Sequence, residues 1–254
     1  MLLILSPTKT MQDNVDMTIN ETTLPLFLEK ANQLHEELKN LTVAELARTM
    51  QVNPQLAQLN YERFQQWHVR KHKENGIPAF FSYLGEVFRG LHAADLRKDD
   101  LLFAQGHVRI LSGFYGILRP LDLVLPYRLE MGGRFAPAGY SHLYGFWKKD
   151  ITQALKNALQ EQGDQILINL ASNEYYKVID KKQLAAQIIT PVFKEARGDG
   201  YKMITIYAKK ARGMMTRFII QNRLKDTEQL KLFDQEGYYY NENLSTTTEI
   251  VFTR

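Results

Sequence analysis

Short apolar runs and segments of helical periodicity follow one another along the whole chain. Leu2–Leu5 is a continuous apolar run, which predicts a buried strand. In Leu24–Leu41 the apolar residues recur every three or four positions, so an amphipathic helix is predicted there. The sequence Thr42-Val-Ala-Glu45 is a capping box that opens a second helix, and Asn53-Pro54 begins a third. The amino-terminal third is therefore mainly helical.

Strands become frequent later in the chain. The polar stretch Val69–Pro78 predicts an exposed loop, and Gly198-Asp-Gly200 predicts a hairpin turn between two strands. Further predicted strands are Ala79–Tyr83, Gln165–Leu170, Ile188–Lys194, Lys202–Tyr207 and Glu249–Thr253, and further predicted helices are Tyr144–Leu159 and Ala208–Leu224. No repeat or linker interrupts residues 1–254, so we expect a single compact domain. Its expected class is α+β or mixed α/β, with a mixed sheet and surrounding helices.

Composition narrows the class of protein. The 254 residues are 44% hydrophobic and 24% charged, as in ordinary globular proteins. The chain has no Cys, which excludes disulfides and a Cys nucleophile. The apolar run at the amino terminus is too short for a signal peptide, and no stretch approaches the ~18 apolar residues of a membrane span. We therefore expect a cytoplasmic protein without a membrane partner.

The chain is mildly basic, and its cations are clustered. Lys and Arg number 32 against 28 Asp and Glu, giving a net charge of +4. In the predicted helix Ala208–Leu224, helical spacing brings cations to one side, where they could bind phosphate. These cations are Lys209, Lys210, Arg212, Arg217 and Arg223. Gly213 costs such a helix about 1 kcal/mol, so its presence suggests a close approach of another backbone. The alternative is a solvated helix face.

A second basic segment contains a tight glycine turn. Arg109 and Arg119 flank Gly113-Phe-Tyr-Gly116 between two apolar stretches. This pattern resembles a helix-hairpin-helix, whose turn amides hold a DNA phosphate without reading sequence. Pro120 departs from that pattern because it restricts the second helix. The alternative is a glycine turn in a buried connector.

Polar residues that follow predicted strands form a third group. Ser6 and Lys9 follow the first strand, whereas Asn169, Ser172 and Glu174 lie at the end of a later one. Open sheets bind ligands at such strand ends. Arg128 and Glu130, two residues apart in an extended segment, would lie on one side of it. If these segments converge, they form a pocket for an anionic small molecule, with Lys9, Glu130 and Glu174 as candidate catalytic groups. The alternatives are an ordinary Arg128–Glu130 ion pair and a helix cap at Ser172.

Motifs for metals and common cofactors are missing from the sequence. It contains neither a P-loop nor a Gly-x-Gly-x-x-Gly fingerprint. His68 and His72 share a helix face, but Arg70, Lys71 and Lys73 surround them and would repel a metal cation. We predict no metal site and no cofactor.

At these motifs the chain resembles the YaaA family of bacterial peroxide-stress proteins. The matching segments are Leu5–Thr10, Gly85–Gly90, Arg109–Asp122, Pro126–Gly132, Leu143–Trp147, Asn169–Tyr175, Pro191–Phe193, Tyr207–Ile219 and Glu236–Tyr238. They occur in order over nearly the whole chain. The sequence departs mildly at Thr8, where the family usually has Ala, and at Asn173, where it often has Asp.

The resemblance implies a role in surviving hydrogen peroxide by limiting damage from intracellular free iron. It also implies non-specific DNA binding through a helix-hairpin-helix and a positively charged groove, on an uncommon fold. The hairpin would fall on Ser112–Gly116 with Arg109 and Arg119. The groove would be lined by the cations of the predicted helix, namely Lys209, Lys210, Arg212 and Arg217.

Two functional hypotheses follow, and a structural or interaction module is the alternative to both. The first is a DNA-associated peroxide-stress protein whose effect on iron is indirect, because no residues have iron-chelating spacing. The second is an enzyme that acts on an anionic small molecule or a nucleotide-like substrate. Its pocket would contain Ser6, Lys9, Arg128, Glu130, Asn169 and Ser172. The family has no settled enzymatic reaction, so the resemblance does not choose between them.

Overall fold

The computed structural model describes residues 1–15 and 21–254. The strands are β1 (Leu2–Leu5), β2 (Thr10–Met11), β3 (Ile77–Pro78), β4 (Tyr83–Leu84), β5 (Val108–Ser112), β6 (Gly116–Leu118), β7 (Leu123–Val124), β8 (Ile166–Asn169), β9 (Gln187–Arg197), β10 (Gly200–Lys202), β11 (Tyr239–Tyr240) and β12 (Glu249–Thr253). The helices are α1 (Leu28–Leu38), α2 (Val43–Met50), α3 (Pro54–Gln66), α4 (His72–Asn75), α5 (Ala79–Ser82), α6 (Glu86–Leu91), α7 (Lys98–His107), α8 (Leu143–Glu161), α9 (Asn173–Tyr176), α10 (Lys181–Leu184) and α11 (Thr205–Asn222).

An eight-stranded mixed sheet forms the centre of this α/β fold. Its order is β11-β12-β9-β8-β1-β5-β6, with β10 paired to β9. Five neighbouring strands, β12, β9, β8, β1 and β5, run parallel, whereas β11, β10 and β6 are antiparallel to their partners. Counted from the β5 side of the sheet, β5 is the first parallel strand and β1 the second. They are followed by β8, β9 and β12 in chain order. The chain therefore reverses its direction of strand addition at β1.

The central strands are apolar because both of their faces are covered. All four residues of β1 are buried, and its register pairs Leu3 with Val108 of β5 and with Ile168 of β8. Continuous apolar runs are typical of parallel strands that pack helices on both sides. Around this centre, the buried apolar residues form one continuous core cluster. Within the described part of the chain, no helix combines the length and the apolarity that crossing a membrane requires.

The mixed sheet with surrounding helices is confirmed, and most predicted elements are present. The capping box at Thr42 is formed in both directions, and Asn53 caps α3. Two predicted strands are wrong: residues 79–82 form the short helix α5, and the strand β10 ends at Lys202 because α11 begins at Thr205. The predicted loop 69–78 is also wrong. It folds into a 3-10 turn and α4, with His72 fully buried.

The predicted helix-hairpin-helix is not formed; residues 108–118 are instead a β-hairpin. Strands β5 and β6 pair antiparallel, with Ile110 opposite Leu118. Short apolar runs fit a buried strand and a buried helix equally well, which is why the sequence pattern misled. Gly113 and Gly116 are buried, and the amides of Phe114 and Tyr115 donate to the Ser112 hydroxyl. Because these amides are buried and already bonded, they do not present a phosphate site.

Arg109 and Arg119, which were predicted to flank that site, make contacts within the fold instead. The Arg109 guanidinium donates to the carbonyls of Gln105 and Gly106, near the carboxyl end of α7. Burial lowers the pKa of Arg109 to about 10. Arg119 forms an ion pair with the buried Asp122, at 2.9 Å. Both cations are therefore committed to structural contacts.

The hairpin turn is anchored by a buried polar network around Tyr115. Its hydroxyl accepts hydrogen bonds from the Trp67 indole at 2.9 Å and from the Leu125 amide at 3.1 Å. It lies 2.9 Å from Nε2 of His72, and Nδ1 of His72 lies 3.0 Å from the Val69 carbonyl. These contacts require a proton on Nδ1 and an acceptor at Nε2, so His72 is neutral. Burial lowers its pKa to about 4.

We predict that His72 makes the fold less stable in mild acid. Its pKa is lower in the folded chain than the ~6.5 of an exposed His, so protons bind the unfolded chain more tightly. The stabilisation is complete above pH 6.5 and is lost as the pH falls towards 4, by up to about 3 kcal/mol. Urea unfolding at pH 7.5 and 4.5 measures this loss. In His72→Gln the pH dependence should become shallower, whereas the exposed His68→Gln should keep the wild-type dependence; equal dependences in all three proteins would contradict the assignment.

Candidate functional site

A polar cleft lies at the carboxyl ends of β1 and β8. Ser6 directly follows β1, and Ser172 follows β8 after a short turn. The Ser6 hydroxyl accepts a hydrogen bond from the Ser172 amide at 2.8 Å, and the two hydroxyl oxygens are 3.2 Å apart. Because the order of strands reverses at β1, this edge is the switch point where open α/β sheets bind ligands.

The cleft comprises two adjoining cavities of about 650 and 460 Å3, which share Lys9, Glu130 and Glu174. The larger cavity is further lined by Ser6, Ser172, Lys209 and Arg212, with Leu84, Val87, Leu170 and Tyr175 as apolar lining. The smaller cavity is lined by Arg128, Gly132, Gly133, Tyr144 and Lys177, among others. Both volumes are in the usual range of small-molecule sites. Five of the six predicted pocket residues therefore lie on one cleft.

One carboxylate oxygen organises the centre of the cleft. Oε1 of Glu130 lies 3.2 Å from Nζ of Lys9, and it accepts hydrogen bonds from Nε and Nη2 of Arg128 at 3.2 and 3.0 Å. Oε2 of Glu130 receives no hydrogen bond from the described residues. Lys9 is 64% exposed, whereas Glu130 is only 14% exposed. The ion pair between Arg128 and Glu130, which the sequence offered as the alternative to a pocket, is therefore formed, and it lies within the cleft.

Glu174 is held in a similar way. Its Oε1 accepts a hydrogen bond from the Gly132 amide at 3.1 Å, and its backbone carbonyl accepts one from the Tyr144 hydroxyl. A Cβ at Gly132 would lie 3.1 Å from the Tyr144 hydroxyl and 3.2 Å from Cγ of Glu174. A side chain at position 132 would therefore crowd both residues.

Asn169 is the predicted pocket residue that lies behind the cleft. It is buried, and its Oδ1 accepts a hydrogen bond from the Ala171 amide at 3.1 Å. This local bond turns the chain sharply after β8 and directs Ser172 towards Ser6. Asn169 therefore shapes the cleft without lining it.

Close packing of α6 against α11 forms the opposite wall. A Cβ on Gly213 would lie 1.8 Å from the Val87 carbonyl oxygen, and one on Gly90 would lie 2.1 Å from the Lys210 carbonyl oxygen. The predicted close backbone approach at Gly213 is confirmed. Because the two backbones touch, Lys209 and Arg212, which precede Gly213 on α11, are set beside the first turn of α6.

Two cations from α11 enter the larger cavity. Lys209 is exposed at the cavity, and Arg212 is mostly buried in its lining. Burial lowers the pKa of Arg212. Within residues 1–15 and 21–254, neither cation forms an ion pair with a carboxylate. A guanidinium that has lost water and gained no counter-ion favours the binding of an anion beside it.

The remaining predicted cations of α11 do not reach this cavity. Lys210 pairs with Glu236, and Arg217 donates to the carbonyls of Leu91 and His92 at 3.2 and 2.8 Å. Arg223, where α11 ends, pairs with Asp100. The expected common face of five cations is therefore wrong: Lys210 and Arg217 line a separate cavity, to which Arg89 also contributes.

Several lining residues were not among the predicted site residues. They include Glu86, Arg89, Tyr144, Tyr175 and Lys177. Gly85-Glu-Val-Phe-Arg-Gly90 was a visible signal, since a glycine inside a helical segment often marks a close contact. Tyr144 and Lys177 have no distinguishing local pattern. Among the described residues, no three His, Asp or Glu side chains are grouped so that they could hold a metal ion.

These features define an open α/β protein with a cation-rich cleft at the switch point of its sheet. Residues 1–244 match the family of peroxide stress protein YaaA. The chain is 44% identical over 254 residues to a UPF0246 protein of Aliivibrio fischeri strain MJ11, covering all of this chain and 98% of that protein. It is 46% identical to a UPF0246 protein of Saccharophagus degradans, covering all of this chain and 99% of that protein. The chain belongs to the peroxide stress protein YaaA family, which supports a role in peroxide stress.

We predict that Gly213→Ala severely destabilises the protein. The added methyl group would overlap the Val87 carbonyl, so α6 and α11 must separate, at a cost of about 3 kcal/mol or more. Urea unfolding measures this loss. Gly106→Ala in α7 is the matched control, because a Cβ there meets no atom of the described residues within 4 Å. That change should leave the protein's stability unchanged or raise it by up to about 1 kcal/mol. Similar effects of the two substitutions would contradict the close backbone contact between α6 and α11.

Proposed function

We propose that this chain acts in the peroxide-stress response by binding an anionic small molecule in the cleft between β1, β8 and α11. Arg212 carries this proposal, because it is a desolvated cation at the cleft that has no carboxylate partner among the described residues. The other charged residues around Arg212 also favour an anionic ligand. The described lining contains six cations, Lys9, Arg89, Arg128, Lys177, Lys209 and Arg212, and three carboxylates, Glu86, Glu130 and Glu174. A phosphate or carboxylate group would compensate this excess.

The position of the cleft supports the same proposal. Ligands of open α/β sheets bind outside the carboxyl ends of the strands at the switch point. Ser6 and Ser172 supply short polar side chains at this edge, and the apolar lining could cover an uncharged part of the ligand. Lys9, Glu130 and Glu174 lie where they could transfer protons if the bound molecule is also a substrate.

We predict that Arg212→Met abolishes most anion binding. A charged hydrogen bond contributes ~1.5–3 kcal/mol, so the affinity for inorganic phosphate or pyrophosphate should fall about ten- to a hundredfold. Isothermal titration calorimetry at fixed ionic strength measures this loss. Arg217→Met is the control, since it removes a guanidinium of the same helix from outside the cleft. Unchanged binding by Arg212→Met, or equal losses in both variants, would overturn the proposal.

We also predict that Arg212→Met stabilises the ligand-free protein. The methionine keeps much of the apolar packing and removes a charge that is costly to bury. A gain of about 1 kcal/mol would raise the melting temperature by ~2–4 °C in a chain of this size. Thermal unfolding without added phosphate checks this expectation. A lower melting temperature would mean that Arg212 has a structural role instead.

Non-specific DNA binding is the second candidate function, and a connection between cavities favours it. Arg89 lines both the cleft and the neighbouring cavity that contains Lys210 and Arg217, so cations border both sides of α6. A nucleic-acid backbone could follow this surface. Binding there would shield DNA and limit iron-dependent damage indirectly.

The two candidates can be separated by salt dependence. If DNA lies along this surface, changing Lys210 and Arg217 together to Ala should reduce the slope of log affinity against log salt by about 1.8, at ~0.9 per lost phosphate contact. Fluorescence anisotropy with a DNA duplex measures the slope. The same variant should bind inorganic phosphate like the wild type. An unchanged slope would contradict DNA binding at this surface.

A further inference from the structure

The centre of the cleft contains two carboxylates, and in each of them only one oxygen has a polar contact with the described residues. Glu130 receives the hydrogen bonds of Arg128 and lies beside Lys9 through its Oε1, and Glu174 accepts the Gly132 amide through its Oε1. Oε2 of both residues accepts no hydrogen bond from residues 1–15 and 21–254. Both side chains line the two cavities. Two anchored acceptor oxygens are therefore available where the cavities meet.

Anchored carboxylates of this kind select a ligand with hydrogen-bond donors. An ionised carboxylate oxygen only accepts, and its hydrogen bonds are roughly twice as strong as neutral ones. A second anionic group of the ligand would be repelled at this position. The contacts to Lys9 and Arg128 fix Glu130 without occupying its second oxygen. The charged part of the ligand must therefore lie towards Arg212 and Lys209.

We propose that the cleft binds a phosphate ester with vicinal hydroxyl groups, such as a sugar phosphate or a ribonucleotide. This proposal rests on the proposed anion-binding function. The phosphate lies against Arg212 and Lys209, and the two hydroxyls donate to Oε2 of Glu130 and of Glu174. The larger cavity leaves room beside its apolar residues, Leu84, Val87 and Leu170, for a further uncharged group such as a base.

A pair of deoxy analogues tests the hydroxyl contacts. Calorimetric affinities are measured for ribose 5-phosphate and adenosine 5′-monophosphate, each against its 2-deoxy or 2′-deoxy counterpart. One charged hydrogen bond predicts a preference of about tenfold or more for the compounds with both hydroxyls. Tighter binding of the nucleotide pair than of the sugar pair would identify a ribonucleotide, and similar binding of both a sugar phosphate.

Glu130→Gln is the informative variant. Its amide oxygen can still accept from Arg128, but an uncharged NH2 group replaces the second acceptor oxygen. The ligand hydroxyl would then accept a neutral hydrogen bond from this NH2 group instead of donating to a carboxylate. The hydroxyl preference should then fall from about tenfold to about threefold, because roughly half of the hydrogen-bond energy is lost. Glu86→Gln is the control, since Glu86 also lines the cleft but is paired with the exposed Arg89. It should keep the wild-type preference.

The outcomes separate this inference from the function on which it rests. If both members of each pair bind equally and Arg212→Met abolishes their binding, the anion site stands and the hydroxyl assignment is overturned. Tighter binding of O-phosphoethanolamine than of either hydroxylated ester would overturn it too, in favour of an ammonium donor. If no phosphate compound binds the wild-type protein, the proposed function itself fails.

Discussion

The strand order of the sheet reverses at β1, and this reversal determines where the cleft forms. The chain adds β5 on one side of β1 and then adds β8, β9 and β12 on the other. The carboxyl ends of β1 and β8 must therefore meet beside a gap that no crossing connection fills. Residues far apart in the sequence, such as Ser6 and Ser172, become hydrogen-bonded neighbours there. The location of the cleft is thus a consequence of topology.

Helix packing determines the charge of that cleft. Gly90 and Gly213 let α6 and α11 touch through their backbones, which fixes where the side chains of α11 can go. One turn of this helix supplies both Lys209 to the cleft and Lys210 to the neighbouring cavity. Lys210 forms an ion pair with Glu236, whereas Arg212 forms none with a carboxylate of the described residues. The fold therefore keeps an uncompensated charge at the edge of the sheet, which is typical of ligand sites.

Much of this arrangement could be predicted from residue patterns, and the failures have physical causes. The apolar run of β1 and the polar residues that follow it placed Ser6 and Lys9 at a strand end, and the Arg128–Glu130 spacing indicated their pairing. The segment 108–118 was misassigned because a short apolar run does not distinguish strand from helix. Helical spacing grouped Lys209 with Lys210 and Arg217, but α6 separates them, and only tertiary packing decides that. Tyr144 and Lys177 carry no local signal of their position.

Arg212 is expected to bind an anion at the carboxyl ends of β1 and β8. The most direct test is a crystal structure of the protein soaked with tungstate, whose anomalous signal marks a bound oxyanion without ambiguity. We expect a peak within hydrogen-bond distance of the Arg212 guanidinium, inside the cleft. A peak confined to the cavity of Lys210 and Arg217, or none in the cleft at saturating tungstate, would contradict it.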